Sequence, residues 1–420
     1  MLKEVDRFKE LFTSSFEIDD EQAIDIVLAT AVTHKVGVGE MLWLRIIGAS
    51  GTGKTELLRT LAGQKGYCTQ IEGITPAAIR RGYAFKRKKE YQRPLLERIN
   101  RSLVITKEFA VILTKDLDSQ KEIYGLLRGV HDGTLDVDYG SEEGHLRQES
   151  RFDWILGTTQ FVERQRQLET LLGSRFIDLR WGSPILRNVA VKKARANDGV
   201  LEGIRAGLVR AMTDIIEVAK VTPKPQGDYI DELANIAAAM RTPVERDSRT
   251  KDIIEIPDIE LGTRMGQALS RIGRGLMMIG VDEQDLRPYL IRIVFDCMTK
   301  IRASIIKAWM AGLTKQSEVG ARLELTQSAI SRVIDELRIL RWNDSWLEAL
   351  RADNQYIGGG QTMDNRKIEL TEQGHQAARR IELAFMAHLK EEYDKAEAAG
   401  DTQKMAELER LVEDVPEEER

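Results

Sequence analysis

The chain has 420 residues, of which 42% are hydrophobic and 31% charged, a composition typical of a globular protein with about two to four domains. No apolar run approaches the roughly 20 residues needed to span a bilayer, and the N-terminus lacks the apolar core of a secretion signal, so we expect a cytoplasmic protein. Its two cysteines, Cys68 and Cys297, are far apart and its five histidines have no metal-ligand spacing. This excludes a disulfide framework and a zinc site.

The net charge of −5 is unevenly distributed along the chain. Residues 390–420 alone carry a net charge of −7, so the remaining residues carry +2. The acidic charge therefore lies largely in the C-terminal tail, which is rich in Ala, Glu and Lys and is predicted to form an exposed helix. The rest of the chain can still present a basic face to nucleic acid.

The strongest motif follows a predicted helix over residues 21–34, capped by Asp20, and a strand over 41–47. Residues 48–55 fit the phosphate-loop pattern of Gly, four residues, then Gly-Lys-Thr, and a helix begins at about Glu56. Glycines let backbone N–H groups surround a phosphate, the lysine adds a positive charge, and the threonine hydroxyl binds Mg²⁺. The predicted nucleotide-binding residues here are Gly48, Ser50, Gly51, Thr52, Gly53, Lys54, Thr55 and Glu56.

A basic block with interleaved aromatic residues occupies residues 80–101. Such a segment suits the backbone of a nucleic acid, and we select Lys86, Arg87 and Lys88 as DNA-binding candidates. A solvated insertion or a loop between subunits explains the same composition equally well, since a charge run is weak evidence by itself.

Two further predicted strands end in polar residues. The strand at 103–106 is followed by Lys107 and Glu108, and Glu108 is our candidate for orienting water or holding Mg²⁺, with Asp116 and Asp118 as substitutes. A helix over 120–130 and a β-hairpin over 135–150 follow. The strand at 154–160 ends in threonines that could contact the γ-phosphate or the attacking water. The alternatives are that Glu108 is an ordinary surface acid and that the threonine caps a helix.

The order of a phosphate loop, an acid-tipped strand, a polar-tipped strand and Gly-Ser-Arg-Phe at 173–176 resembles the core of the AAA+ ATPases. The resemblance implies ATP and Mg²⁺ as cofactors, Thr159 (or Thr158) as the first sensor, and Arg175 as an arginine finger that reaches the nucleotide of the next subunit. It further implies a ring or spiral of identical subunits, a hexamer or heptamer. A structural ion pair at the edge of the core is the alternative role for Arg175.

Residues 105–113 resemble a segment of AAA+ ATPases from phages and mobile elements, in which the acid is normally Asp within a Lys-Asp-Phe-Thr run. Here Glu108 and Ala110 replace two of those residues, which leaves nucleotide binding secure and makes the hydrolysis rate an open question. The helices predicted over 182–300 are similar to the lid of the same ATPases, and this likeness implies Arg241 as a second sensor. We expect residues 244–258 to be an exposed excursion.

A helix-turn-helix is predicted from two apolar-striped segments, 314–323 and 326–337. The outer surface of the second helix, where a recognition helix touches bases, carries Gln327, Ser328, Ser331 and Arg332. A strand at 366–370 resembles the exit of winged-helix domains, with glycines 358–360 in the wing. Many winged helices bind protein instead of DNA, and that alternative stays open.

We therefore predict an α/β protein with a phosphate-loop AAA+ core built on a parallel sheet, a helical lid and a C-terminal winged helix-turn-helix. The predicted domains are an N-terminal extension (1–22), the ATPase core (23–181), the lid (182–300), the winged helix (301–385) and the tail (386–420). The favoured function is an ATPase that acts on DNA in replication or remodelling for a mobile element, including helicase action. The rivals are a nucleotide-gated DNA-binding switch or loader with slow turnover, and a scaffold that recruits another protein.

Overall fold

The computed structural model describes residues 2–18, 20–37, 40–80, 85–87, 90–92, 94–138, 145–165, 175–182 and 187–351. The chain divides into two compact units, one formed by residues 1–304 and 339–360 and the other by 305–338 and 361–420. The predicted wing, the strand at 366–370 and the acidic tail lie outside the described residues. Within the described ranges, no helix is both long and apolar enough to cross a lipid bilayer.

The first unit is built on a five-stranded parallel sheet, which confirms the prediction of an α/β fold. Its strands are β1 (Trp43–Ile47), β2 (Cys68–Gln70), β5 (Leu103–Thr106), β8 (Asp153–Thr158) and β9 (Phe176–Arg180). Their order across the sheet is β2-β5-β8-β1-β9, so β1 lies between β8 and β9. In this register Trp43 pairs with Trp154 on one side and with Phe176 on the other.

The strands β1, β5 and β8 are buried along their whole length, which explains why their sequences are continuous apolar runs. Rings from neighbouring strands form an aromatic cluster, in which Trp43 stacks on Phe152 at 5.4 Å and meets Trp154 edge-on at 5.3 Å. The sheet also contains a buried ion pair, since Arg45 Nε of β1 donates to Asp178 of β9 at 2.7 Å.

Two antiparallel ladders lie outside the main sheet. The strands β6 (Thr134–Asp138) and β7 (His145–Glu149) form the hairpin predicted from alternating residues. The strands β3 (Phe85–Arg87) and β4 (Glu90–Gln92) form a shorter ladder within the basic block, for which the sequence predicts no strands.

The helices cover the sheet and continue beyond it, and Asp20 caps the second one as predicted, accepting from Ala23 N at 3.1 Å. They are α1 (Lys3–Ser15), α2 (Glu21–Thr33), α3 (Lys54–Ala62), α4 (Pro76–Arg80), α5 (Leu95–Ile99), α6 (Ala110–Leu113), α7 (Leu117–His131), α8 (Arg187–Ala196), α9 (Leu201–Val218), α10 (Tyr229–Arg241), α11 (Thr263–Met278), α12 (Leu286–Cys297), α13 (Lys300–Met310), α14 (Gln316–Leu323), α15 (Gln327–Ile339) and α16 (Asp344–Arg351).

In the second unit, α14 and α15 occupy the positions predicted for a pair of helices joined by a short turn. The turn begins at Glu324, whose φ of 55° is left-handed, and Leu325 N donates to Gly320 O at 3.0 Å. The predicted inner face of α15 is buried at Ile330, Val333 and Leu337.

Candidate functional site

The phosphate-loop sequence connects the end of β1 to the start of α3. Two of its glycines, Gly51 and Gly53, have left-handed φ values of 78° and 84°, which other residues adopt only with strain. Gly48 is required for space instead, because a Cβ there would lie 2.9 Å from the Cβ of Trp181. Trp181 also holds the loop by donating from Nε1 to Thr52 O at 2.7 Å.

The side chain of Lys54 is buried and turns back into the loop. Its Nζ donates to Gly48 O at 2.9 Å and to Ala49 O at 2.6 Å. Burial lowers the pKa of this ammonium, and the nearby carboxylate of Glu108 opposes the shift. In the structure, the two loop carbonyls therefore hold the ammonium of Lys54.

The first turn of α3 is held by an arginine that sequence reasoning missed. Arg205 of α9 donates to both carboxylate oxygens of Glu56, from Nε and Nη2, each at 2.8 Å. Burial would raise the pKa of Glu56, but Arg205 and Arg59 hold it below its ordinary value. Thr55, the preceding residue, is exposed at the entrance of the loop.

The acid-tipped strand β5 pairs with β8, which lies between it and β1. Glu108 is exposed, and its Oε1 accepts a hydrogen bond from Ala110 N at 3.1 Å. Lys107 turns to Glu72, with Nζ 2.9 Å from Oε1. The substitute acid Asp116 instead caps α7 by accepting from Ser119 N at 2.8 Å, and this bond lowers its pKa.

The tip of β8 lies between those of β1 and β5. Gly48 N donates to Thr158 O at 3.1 Å, and Phe109 N donates to Gly157 O at 2.8 Å. Gly157 permits this close approach, since a Cβ there would lie 2.6 Å from Leu58 Cδ1. Thr158 is completely buried, whereas Thr159 is half-buried just beyond the strand.

Arg175 lies at the amino ends of the strands, whereas the phosphate loop lies at their carboxyl ends. It precedes Phe176, which pairs with the first residue of β1, whereas the phosphate loop follows the last residue, Ile47. Its Nη2 donates to both carboxylate oxygens of Asp132, at 3.1 and 3.2 Å. Burial and the neighbouring Arg264 lower the pKa of Arg175, and Asp132 opposes them.

Arg241, the residue that the resemblance implies as a second sensor, lies at the start of β9 and not at the phosphate loop. Its guanidinium donates to Glu260 from Nε at 2.8 Å and from Nη2 at 2.6 Å. Its Nη1 also contacts Phe176 O at 3.5 Å, at the same edge as Arg175. Helix packing sets this direction, because α10 ends against the start of β9.

The segment that follows α1 packs on the phosphate loop, a contact that the sequence did not indicate. A Cβ on Gly53 would lie 3.1 Å from Ile18 Cδ1 and 3.9 Å from the Cβ of Phe16. Lys193 of α8 fixes this segment by contacting Glu17 at 2.6 Å and Thr13 O at 2.7 Å.

The predicted DNA-binding residues belong to two segments, the basic block around β3 and the start of α15. Lys86 and Arg87 belong to β3, and Lys88 lies outside the described residues. In the second unit, Gln327 and Ser328 are exposed at the start of α15, while Ser331 and Arg332 are half-buried. Arg332 Nε donates to Ser328 O at 3.0 Å.

Comparisons with protein-family models and with curated proteins give no match. The site must therefore be interpreted from its own geometry. Across the described ranges, no cluster of three or more His, Cys, Asp or Glu side chains could hold a metal ion. A metal at the loop would thus depend on oxygen atoms of Thr55, Glu108 and a bound phosphate.

Proposed function

We propose that this chain binds ATP with Mg²⁺ at the phosphate loop and hydrolyses it as an AAA+-type ATPase. One observation carries the proposal, namely that the ends of β5, β8 and β1 are adjacent at one edge of the sheet. Open α/β sheets bind ligands at the carboxyl ends of their strands. The loop, Thr159 and Glu108 lie at this edge, as a hydrolytic site requires.

Each residue at this edge has a chemical role in the proposal. Lys54 would exchange its two loop carbonyls for phosphate oxygens, which are better partners for an ammonium. Glu108 would orient the attacking water, and Thr159 would contact the γ-phosphate. Thr55 and Glu108 supply hard oxygen atoms, which fit Mg²⁺, and that ion would neutralise charge on the phosphates.

The proposal includes a second copy of the chain. Because β9 has five residues and rises about 3.3 Å per residue, Arg175 lies roughly 16 Å from the loop edge of its own sheet. It would therefore act on the nucleotide of a neighbour in a ring or spiral. An arginine that completes a phosphoryl-transfer site in this way raises turnover by about 10³–10⁵-fold.

DNA is the proposed substrate of the assembly. The support is the helix pair α14 and α15, whose outer N-terminal surface exposes Gln327 and Ser328, together with the basic strand β3. The favoured role is DNA replication or remodelling for a mobile element, with strand unwinding as one form of it.

The test is ATP turnover in mixtures of two inactive chains. Neither Lys54→Ala nor Arg175→Ala should turn over alone, but mixing them should restore partial activity, because one type of seam has an intact loop and an intact Arg175. Arg147→Ala, which changes an exposed arginine of β7, is the matched control and should keep full activity. No recovery at any mixing ratio would contradict a shared site.

Three contacts favour a second function. In that function the chain would bind ATP to assemble on DNA but would hydrolyse it slowly. Glu108 accepts from Ala110 N, Lys107 is engaged by Glu72, and Arg175 is held by Asp132. The contacts of Glu108 and Arg175 occupy groups that fast hydrolysis needs. ATP-driven unwinding would support the motor, whereas DNA-stimulated assembly without unwinding would support the switch.

A further inference from the structure

A cavity separate from the phosphate loop lies at the amino ends of the strands, beside α10 and α11. Its volume is about 600 Å³, and six cationic side chains line it. These are Arg175, Lys224, Arg241, Arg264, Arg271 and Arg274. A cavity of this size accommodates a ligand of nucleotide dimensions, for which sites of about 300–1,000 Å³ are usual.

One face of α11 supplies half of these cations. Arg264, Arg271 and Arg274 are spaced by seven and three residues, which places them on one side of a helix. The other side of α11 is buried at Met265, Leu269, Ile272 and Leu276. The arginine face therefore turns towards the cavity while the apolar face packs in the core.

Four of the six cations are paired with carboxylates that do not themselves line the cavity. Arg175 binds Asp132, Arg241 and Arg264 share Glu260, and Arg271 binds Asp153 at 2.5 Å. Glu40 and Asp231 also line the wall.

Two cations have no carboxylate within ion-pair distance in the part of the chain that the structure describes. Arg274 donates from Nε to Thr222 O at 2.5 Å, and Lys224 is exposed without a side-chain hydrogen bond. Both line the same cavity, and Lys224 follows Thr222, the partner of Arg274, by two residues. The ammonium of Lys224 and the guanidinium of Arg274 can therefore bind an anion without first breaking an ion pair with a carboxylate.

The opposite end of the cavity also favours negative charge. Burial and then the positive charge of Arg264 lower the pKa of Arg175. Burial, then Arg175 and, to a smaller extent, Arg264 lower the pKa of His131, so positive charges repel one another at this end. The N-terminus of the 16-residue helix α11 reaches the wall at Thr263, and its N-cap residue Gly262 supplies no side-chain acceptor. Backbone N–H groups at a helix start bind phosphate oxygens.

We propose that this cavity binds a small molecule carrying two or more phosphate groups, held by Lys224 and Arg274. Met41 would contact its apolar part. The site is formed within one chain and does not depend on ATP hydrolysis at the phosphate loop.

The test measures pyrophosphate and ADP binding by titration calorimetry in a Lys54→Ala chain, which lacks the phosphate-loop lysine. The concentration is kept where sedimentation shows a monomer. We expect pyrophosphate to bind at one site and the added substitutions Lys224→Ala and Arg274→Ala to weaken it at least tenfold. The matched control is Lys220→Ala. It changes an exposed lysine outside the cavity in the segment between α9 and α10, and it should leave binding unchanged.

Tighter binding of ADP than of pyrophosphate would identify a nucleotide as the ligand, and equal binding would identify the phosphates as the recognised groups. The proposal is overturned if the Lys54→Ala chain binds neither probe. It is equally overturned if the combined variant, shown to be folded by circular dichroism, binds as tightly as the Lys220→Ala control.

Discussion

Arg175 donates from one guanidinium nitrogen to both carboxylate oxygens of Asp132, at 3.1 and 3.2 Å. The arginine side chain is 5% exposed and the aspartate 55% exposed. The pair therefore lies at the surface of the first unit, with the acid facing solvent. For Arg175 to serve a neighbouring copy, this contact must be exchanged for phosphate oxygens, so Asp132 competes with assembly.

Asp132→Asn should weaken this competition. A partly exposed ion pair contributes about 0.2–1 kcal/mol, so ATP turnover at fixed protein concentration should rise by up to about fivefold. Asp198→Asn, which changes an exposed acid between α8 and α9, should leave turnover unchanged. A loss of turnover as large as that of Arg175→Ala would instead place Asp132 in the active arrangement.

The two threonines at the end of β8 should behave differently. Gly157 faces α3, so alternation turns Thr158 to the opposite face, where its buried hydroxyl has no hydrogen-bond partner among the described residues. Thr158→Val should keep turnover and stabilise the fold by about 1 kcal/mol, because a buried unpaired hydroxyl is unfavourable.

Thr159→Val should lower turnover by about 100-fold, the usual effect of removing one positioned polar group from a reaction centre. Turnover and urea unfolding are measured on both variants. Loss of turnover in Thr158→Val with full activity in Thr159→Val would reverse the assignment.

Acidification should destabilise the fold through His131. This ring meets Trp43 edge-on at 4.7 Å, and burial, assisted by Arg175, lowers its pKa to about 4. Because the folded pKa is below the unfolded value, the unfolded chain binds more protons between these two pKa values. Stability is therefore lost as the pH falls from about 6.5 to about 4, by roughly 3 kcal/mol in total.

Urea unfolding at a series of pH values checks this prediction. The His131→Phe chain keeps an aromatic ring against Trp43 and removes the titrating group, so its stability should depend less steeply on pH. Parallel curves for the two proteins would show that His131 does not contribute.

Two glycines of α11 give opposite predictions. A Cβ on Gly275 would lie 2.3 Å from Ala29 O of α2, so Gly275→Ala should destabilise the fold by about 1–3 kcal/mol through overpacking. A Cβ on Gly266 would lie 3.5 Å from the Cβ of Ala234, an ordinary contact. Gly266→Ala should therefore stabilise by up to about 1 kcal/mol through helix propensity. Equal midpoints of urea unfolding for the two variants would contradict the close packing of α2 and α11.

The local sequence predicted most elements of the core. The strands β1, β5 and β8 are continuous apolar runs because both of their faces are buried, and the β6–β7 hairpin shows alternation. The ladder of β3 and β4 was not predicted, because strands of three residues are too short for a periodic pattern.

The amino-acid sequence by itself determined the glycine-rich loop between β1 and α3, since the left-handed φ values of Gly51 and Gly53 depend on the local freedom of glycine backbone. Only the tertiary structure decided where the arginines point. Asp132 is 43 residues from Arg175, and Glu260 is 19 residues from Arg241. Contacts over such separations depend on how helices pack against the sheet, and no local pattern of residues encodes that packing.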